Sequence, residues 1–201
     1  LYPRDFPPLQ FVALSDLRFL RGAASGVLAA AAWAVQQPVD KLVFECRFDD
    51  VEMLGRAVVP EGDGWYAPGL SLHLLNGALF GAVYSLIAPR LPGPAWLKGP
   101  AVAVTENTLL WPTVGLLDRY HPARGRITPL AGNPRAFWQA TWRHVVFGAV
   151  LGELERRLGP PAGSDGGAMI ETVYSSNGHG DIAHATAPLA PTDVPPADPA
   201  A

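Results

Sequence analysis

Glu106 and Arg143 stand out chemically from their surroundings: one is the sole carboxylate in the apolar run 99–117, the other the sole formal charge in the run 137–152. A charge at the centre of a lipid-embedded helix costs roughly 2.5 to 3.5 kcal/mol on insertion scales, so such groups face inward and take a partner. Counted at about 1.5 Å per residue from the same side, Glu106 lies about 16 Å deep and Arg143 about 13 Å deep. That is close enough to predict an ion pair across adjacent antiparallel helices, one that fixes register or lines a path for ions.

Other polar residues fall in the same depth band: Gln36, Gln37, His73, Asn76, Asn107 and His144. A polar pocket is therefore expected from Gln37, His73, Asn76, Glu106, Asn107, Arg143 and His144. Its chemistry is open at this point. Two imidazoles at matched depth, facing one another over glycine-rich surfaces, are what a bis-histidine b-type haem requires. With Glu106 they would instead make a proton-responsive or solute-binding pocket. The plainest arrangement is histidines hydrogen-bonded to neighbouring helices. Nucleophile, base and orienting group do not recur at catalytic spacing, so no catalytic residue, metal ligand or cofactor is assigned and no enzyme is expected.

The helices that position these groups carry a repeated phrase. HLLNGALFG (73–81) and HVVFGAVLG (144–152) agree at four of nine positions, and four of the rest match apolar for apolar. Positions four apart share a helix face, so His73, Gly77 and Gly81 form one stripe and His144, Gly148 and Gly152 another. Gly22 and Gly26 repeat the spacing in the first helix. Such glycines let backbones approach closely, and all six are expected to be packing residues. Late prolines, Pro38 and Pro112, add a fainter echo between the first and third helices. The pattern predicts a duplicated helical hairpin whose halves are related by an axis along the membrane normal.

Composition points the same way. The chain is 49% hydrophobic and 16% charged, and its apolar residues gather into four runs near bilayer length. The fold class expected is all-α, a four-helix transmembrane bundle over 22–158, preceded by an interfacial segment at 1–21 and followed by a disordered Pro/Ala/Gly-rich tail at 159–201. A soluble bundle is the alternative, but long soluble helices normally keep one wet face. The start of the chain lacks the compact apolar core of a cleaved signal peptide, and it opens on Leu1, so a few residues are expected to precede it. Pro38 should kink the first helix. A short amphipathic helix is expected in FDDVEMLGRA, and Asn133 with Pro134 should start the fourth long helix. The acidic first loop and basic second loop on side B, the end where the first and third long helices finish, should pack as a lid. Cys46 is the only cysteine, which leaves no internal disulfide. A net charge of −3 and the lack of a phosphate-binding glycine loop disfavour nucleic acid and nucleotides.

VYSLIAPRLP, WPTVG, and His144 followed by Glu153, Arg156 and Arg157 resemble the YagU-like bacterial inner-membrane proteins, small four-helix proteins of unknown molecular function. The resemblance implies topology and the bacterial inner membrane, and no reaction. Seven basic residues fall on each side, so charge alone does not orient the chain. The resemblance and the juxtamembrane arginines opposite side B imply cytoplasmic termini. The expected partners are the bilayer and either a second copy or another membrane protein. The leading expectation is a non-enzymatic membrane protein whose pocket serves structure or senses a small ligand or pH. A proton-coupled carrier or channel component using Glu106, His73 and His144 comes second, and a haem-binding subunit third.

Overall fold

The computed structural model describes residues 9–159, with side-chain surroundings from residue 17 onward, and these residues are helical with no strand among them. The tail beyond 159 lies outside the described residues. The helices are α1 (Leu9–Val43), α2 (Asp50–Val58), α3 (Tyr66–Ile87), α4 (Ala95–Leu110), α5 (Val114–Tyr120) and α6 (Pro134–Leu158).

Helix limits follow from local chemistry. Asn133 accepts a hydrogen bond from the Ala136 amide (3.2 Å) and Pro134 takes the first turn, so α6 starts where orphan N–H groups are fewest. Asp49 caps α2 by accepting from Glu52 N (2.9 Å), and Arg56 returns to Glu52 (2.6 Å). Pro112 interrupts the third long helix, which passes through a 3-10 turn at Trp111–Thr113 before α5. Pro38 does not act likewise: α1 stays helical past it to Val43. Nor does a boundary fall at Gly22, since α1 is continuous from Leu9 and includes most of the expected interfacial segment. Past the apolar part of α6, Arg156 and Arg157 both bond Glu153 and hold its carboxyl down at about 2.

The four long helices stand in the spatial order α3, α1, α6, α4, each antiparallel to its neighbour, while α3 and α4 at the two ends barely touch. Glycines set the spacing within each hairpin. A Cβ on Gly26 would overlap the Gly77 carbonyl, and one on Gly77 would lie 2.5 Å from Ala30 Cβ. In the second hairpin a Cβ on Gly99 would overlap the Gly148 carbonyl, and one on Gly148 would sit 2.6 Å from Pro100 Cα. Gly99 thus plays against α6 the part that Gly26 plays against α3. Gly152 is less constrained, its nearest neighbour being 3.5 Å away. The glycine stripes of the two repeated phrases do not pack on each other; each packs against the other helix of its own hairpin, and the phrases meet through Phe80 and Phe147.

The bundle is apolar outside and polar inside near side B. On α3 the buried residues include Gly69, His73, Gly77, Gly81 and Ser85, while Leu75, Leu79 and Val83 are 55%, 56% and 57% exposed. Tyr66–Arg90 is the one helix among the described residues long and apolar enough to cross a membrane, where four were expected. The others fall short for identifiable reasons. Uninterrupted, α4 has 16 residues; α1 carries Gln36, Gln37 and Asp40; α6 carries Gln139, Arg143 and His144 within its apolar stretch.

The two side B loops meet over the polar half. His121 Nε2 donates to the Met53 carbonyl (2.9 Å), Arg126 donates to the Pro60 carbonyl (3.3 Å), and Arg135 pairs with Glu45 (2.9 Å). Asp118 accepts from the Leu130 and Ala131 amides, closing the second loop.

Candidate functional site: a histidine–carboxylate cavity beside a buried ion triad

Trp33, Gln37 and Asp40 share one face of α1, and Gln139, Arg143, Phe147 and Leu151 recur every fourth residue on α6. Because α1 and α6 run antiparallel, the polar ends of these stripes meet near side B. Arg143 grips Asp40 through two parallel bonds, Nε to Oδ2 and Nη2 to Oδ1, both 2.6 Å. Its Nη1 donates to Asp50 Oδ2 (2.7 Å) and Nη2 also to the Phe48 carbonyl (2.9 Å). The guanidinium is 0% exposed and Asp40 1%. Gln36 and Gln139 each donate to Asp40 at 2.6 Å, and Trp33 Nε1 donates to Asp50 at 2.8 Å. Such a triad is well satisfied, and losing one member would strand a buried charge.

The expected Glu106–Arg143 pair is therefore not formed. Successive helical residues turn by about 100°, so Arg143 looks to α1 while His144 looks to α4. It is His144 that meets Glu106, Nε2 to Oε2 at 3.1 Å. The other ring nitrogen, Nδ1, lies 2.7 Å from the Ala140 carbonyl. A carbonyl only accepts, so Nδ1 carries a proton and donates. Nε2 and the carboxylate would then both be acceptors unless one proton lies between them, on the imidazole or on the acid. The contact is a single-proton site.

That pair borders a cavity of about 170 Å³. On α3 its walls include His73 and the exposed Asn76, on α4 Glu106, on α6 His144, and on α2 Asp50. Trp33, Phe80 and Phe147 supply aromatic surface, and Met53 and Leu54 roof it from α2. It lies between α3 and α4, the helices that barely touch. Toward the opposite side, Phe147 packs with Ala103, Tyr84 and Leu151 in the apolar core.

The remaining expected pocket residues divide. His73 Nε2 donates to the Ala30 carbonyl across to α1 (3.1 Å) and also lines the cavity. Asn107 donates to Thr141 (3.1 Å), tying α4 to α6 away from the cavity. Gln37 is buried beside Asp49 and Asp50 and is not a wall residue. Bis-histidine haem ligation does not fit these residues. The Trp33 indole fills the space between the imidazoles, its ring 5.4 Å from His73 and 4.7 Å from His144, and both His144 nitrogens are engaged.

Asp40, Asp50, Trp33, Gln139 and Gly99 were not singled out from sequence. The signal for four of them was present in the stripes 33–37–40 and 139–143 and in the Gly99–Gly148 echo of Gly26–Gly77. Asp50 had none, because a loop helix brings it in. No family model matches the chain, and no curated protein or solved structure matches it.

Proposed function

We propose that the chain is a multi-pass protein of the bacterial inner membrane, a four-helix bundle with cytoplasmic termini and no enzymatic activity, whose cavity beside Glu106 and His144 binds a small solute as a sensor. The observation that carries the reading is the division of labour among its charges. Arg143 is fully partnered by Asp40 and Asp50 and serves the bundle, whereas the Glu106–His144 pair lines open volume.

Membrane placement is supported by the outward face of all four long helices. Leu28, Val35 and Leu42 on α1, Leu109 on α4 and Trp138 on α6 are exposed, as are the leucines of α3. Exposed apolar side chains on every long helix suit lipid, and the buried polar half suits a bundle interior. The inner membrane and the inside termini rest on the YagU-like resemblance. Likeness in how Gly26–Gly77 and Gly99–Gly148 pack supports a duplicated hairpin.

The test has two parts. After alkaline extraction the chain should stay with the membrane, and reporters in the 91–94 and 121–133 connections should report opposite compartments. Asn76→Cys should react with a small thiol reagent, with the parent chain as control because its only cysteine, Cys46, is buried. An unreactive Asn76→Cys would sink the binding pocket.

A proton-coupled carrier or channel component is the second reading, favoured by one observation: the Glu106 side chain is 37% exposed while its proton-sharing partner His144 is 15%. Unchanged proton flux in vesicles on Glu106→Gln would exclude it.

A further inference from the structure

We infer that the solute taken by this cavity is a small organic cation, a compact ammonium, admitted in exchange for the proton held between His144 Nε2 and Glu106 Oε2. The inference rests on the binding-pocket reading and gives it a ligand class.

Charge is the first ground. Asp40, Asp50 and Arg143 sum to one negative charge, and the His144–Glu106 contact with its single proton is neutral overall. The site as built is one positive charge short. Releasing the shared proton deepens the deficit by another charge, and a cation in the cavity makes it good. Asp50 belongs both to the triad and to the cavity wall, so the deficit faces the cavity. Arg143 is not a wall residue, which removes the obvious partner for an anion.

The groups around the proton-sharing pair are few. From α2 it is faced by Asp50, from α3 by His73 and the uncharged Asn76, and from α1 by the uncharged Trp33. His73 already donates Nε2–H to Ala30. The Glu106 carboxylate and the single net negative charge of the triad, which reaches the cavity at Asp50, therefore dominate the cavity's field once the proton leaves.

Shape is the second ground. Trp33, Phe80 and Phe147 give the cavity aromatic walls, with Phe80 and Phe147 rings 5.1 Å apart and Trp33 and Phe147 rings 6.1 Å apart. Aromatic faces attract cations, and alkylated ammonium groups above all. A dry cavity of about 150 Å³ holds a benzene molecule, so about 170 Å³ suits an ammonium bearing a few methyl groups.

The exchange conserves charge and breaks no covalent bond other than that to the proton. The cation enters from water and the proton leaves to buffer. The full chain in nanodiscs, titrated with tetramethylammonium chloride by calorimetry in phosphate and in Tris at one pH, provides the test. Saturable binding is expected, with enthalpies that differ between the buffers by an amount corresponding to release of up to one proton. Glu106→Gln should weaken binding at least tenfold and abolish the buffer dependence, while Glu106→Asp should keep part of both. tert-Butanol, similar in shape and uncharged, should bind at least tenfold more weakly. Equal binding of the alcohol, preferential binding of acetate, or cation binding without proton release would overturn the inference. If Asn76→Cys is labelled but tetramethylammonium neither binds nor protects it, the cation falls and the pocket stands. If Asn76→Cys is not labelled either, the pocket reading falls with it.

Discussion

Arg143 and Asp40 lie 103 residues apart in the chain and meet in a two-pronged contact from which water is excluded, both side chains being fully buried. Removing the carboxylate leaves the guanidinium with Asp50 as its one anionic partner, beside the Phe48 carbonyl. Asp40→Ala should therefore destabilise the bundle by about 3–5 kcal/mol, and Asp50→Ala by less. Arg143→Lys should also cost stability, because an ammonium cannot match the planar fork. Unfolding in mixed micelles measures all three. A loss within about 1 kcal/mol for Asp40→Ala would show that the contact is dispensable.

Glu106 behaves differently because its pair with His144 is partly exposed and makes no hydrogen bond to the triad. Glu106→Gln should change stability by no more than about 1 kcal/mol, while altering the cavity's ligand chemistry. The same unfolding assay, run beside Asp40→Ala, checks the contrast. Comparable losses for the two variants would place Glu106 in the structural network.

Gly26 and Gly99 each stand where a Cβ would strike a backbone carbonyl of the neighbouring helix. Backbone cannot swing aside as a side chain can, so the helices must separate. Gly26→Ala and Gly99→Ala should each cost about 1–3 kcal/mol. Gly115 in α5 has its nearest neighbour, Ala131 Cβ, at 4.0 Å, and Gly115→Ala should be neutral or stabilising by up to about 1 kcal/mol. Thermal denaturation of the three variants would decide it, and equal shifts would contradict the close-packing account.

His121 fastens the lid. Its Nδ1 accepts from the Ala123 amide (3.1 Å) while Nε2 donates to the Met53 carbonyl (2.9 Å), an arrangement that requires the neutral ring protonated at Nε2. Nitrogen chemical shifts of labelled histidine should report that tautomer. His121→Phe should speed amide exchange across residues 50–58 without unfolding the four long helices. Unchanged exchange there would mean that the Gly55–Gly69 contact with α3 and the Asp50 bonds to Arg143 and Trp33 hold α2 without His121.

The amino-acid sequence by itself determined the helical elements and what each carries. Asn133, Pro134 and Gly159 bracket α6, the Asp49 cap starts α2 inside the expected amphipathic stretch, and the spaced glycines mark close approach, because caps and small residues act within a few positions of themselves. Depth is legible too: residue count along the helices puts the polar residues in one half of the bundle, where His73, Glu106 and His144 border one cavity. Only the tertiary structure decided partners. Depth along a helix fixes one coordinate, whereas pairing depends on rotation about the axis and on which helix stands alongside. A single residue step, 100° of turn, gives Arg143 to Asp40 and His144 to Glu106. The spatial order α3, α1, α6, α4 likewise placed Trp33 between the two histidines, and α2 folding back placed Asp50 against both the triad and the cavity. Those neighbours arise from contacts between segments far apart in the chain, which no local pattern of spacing encodes.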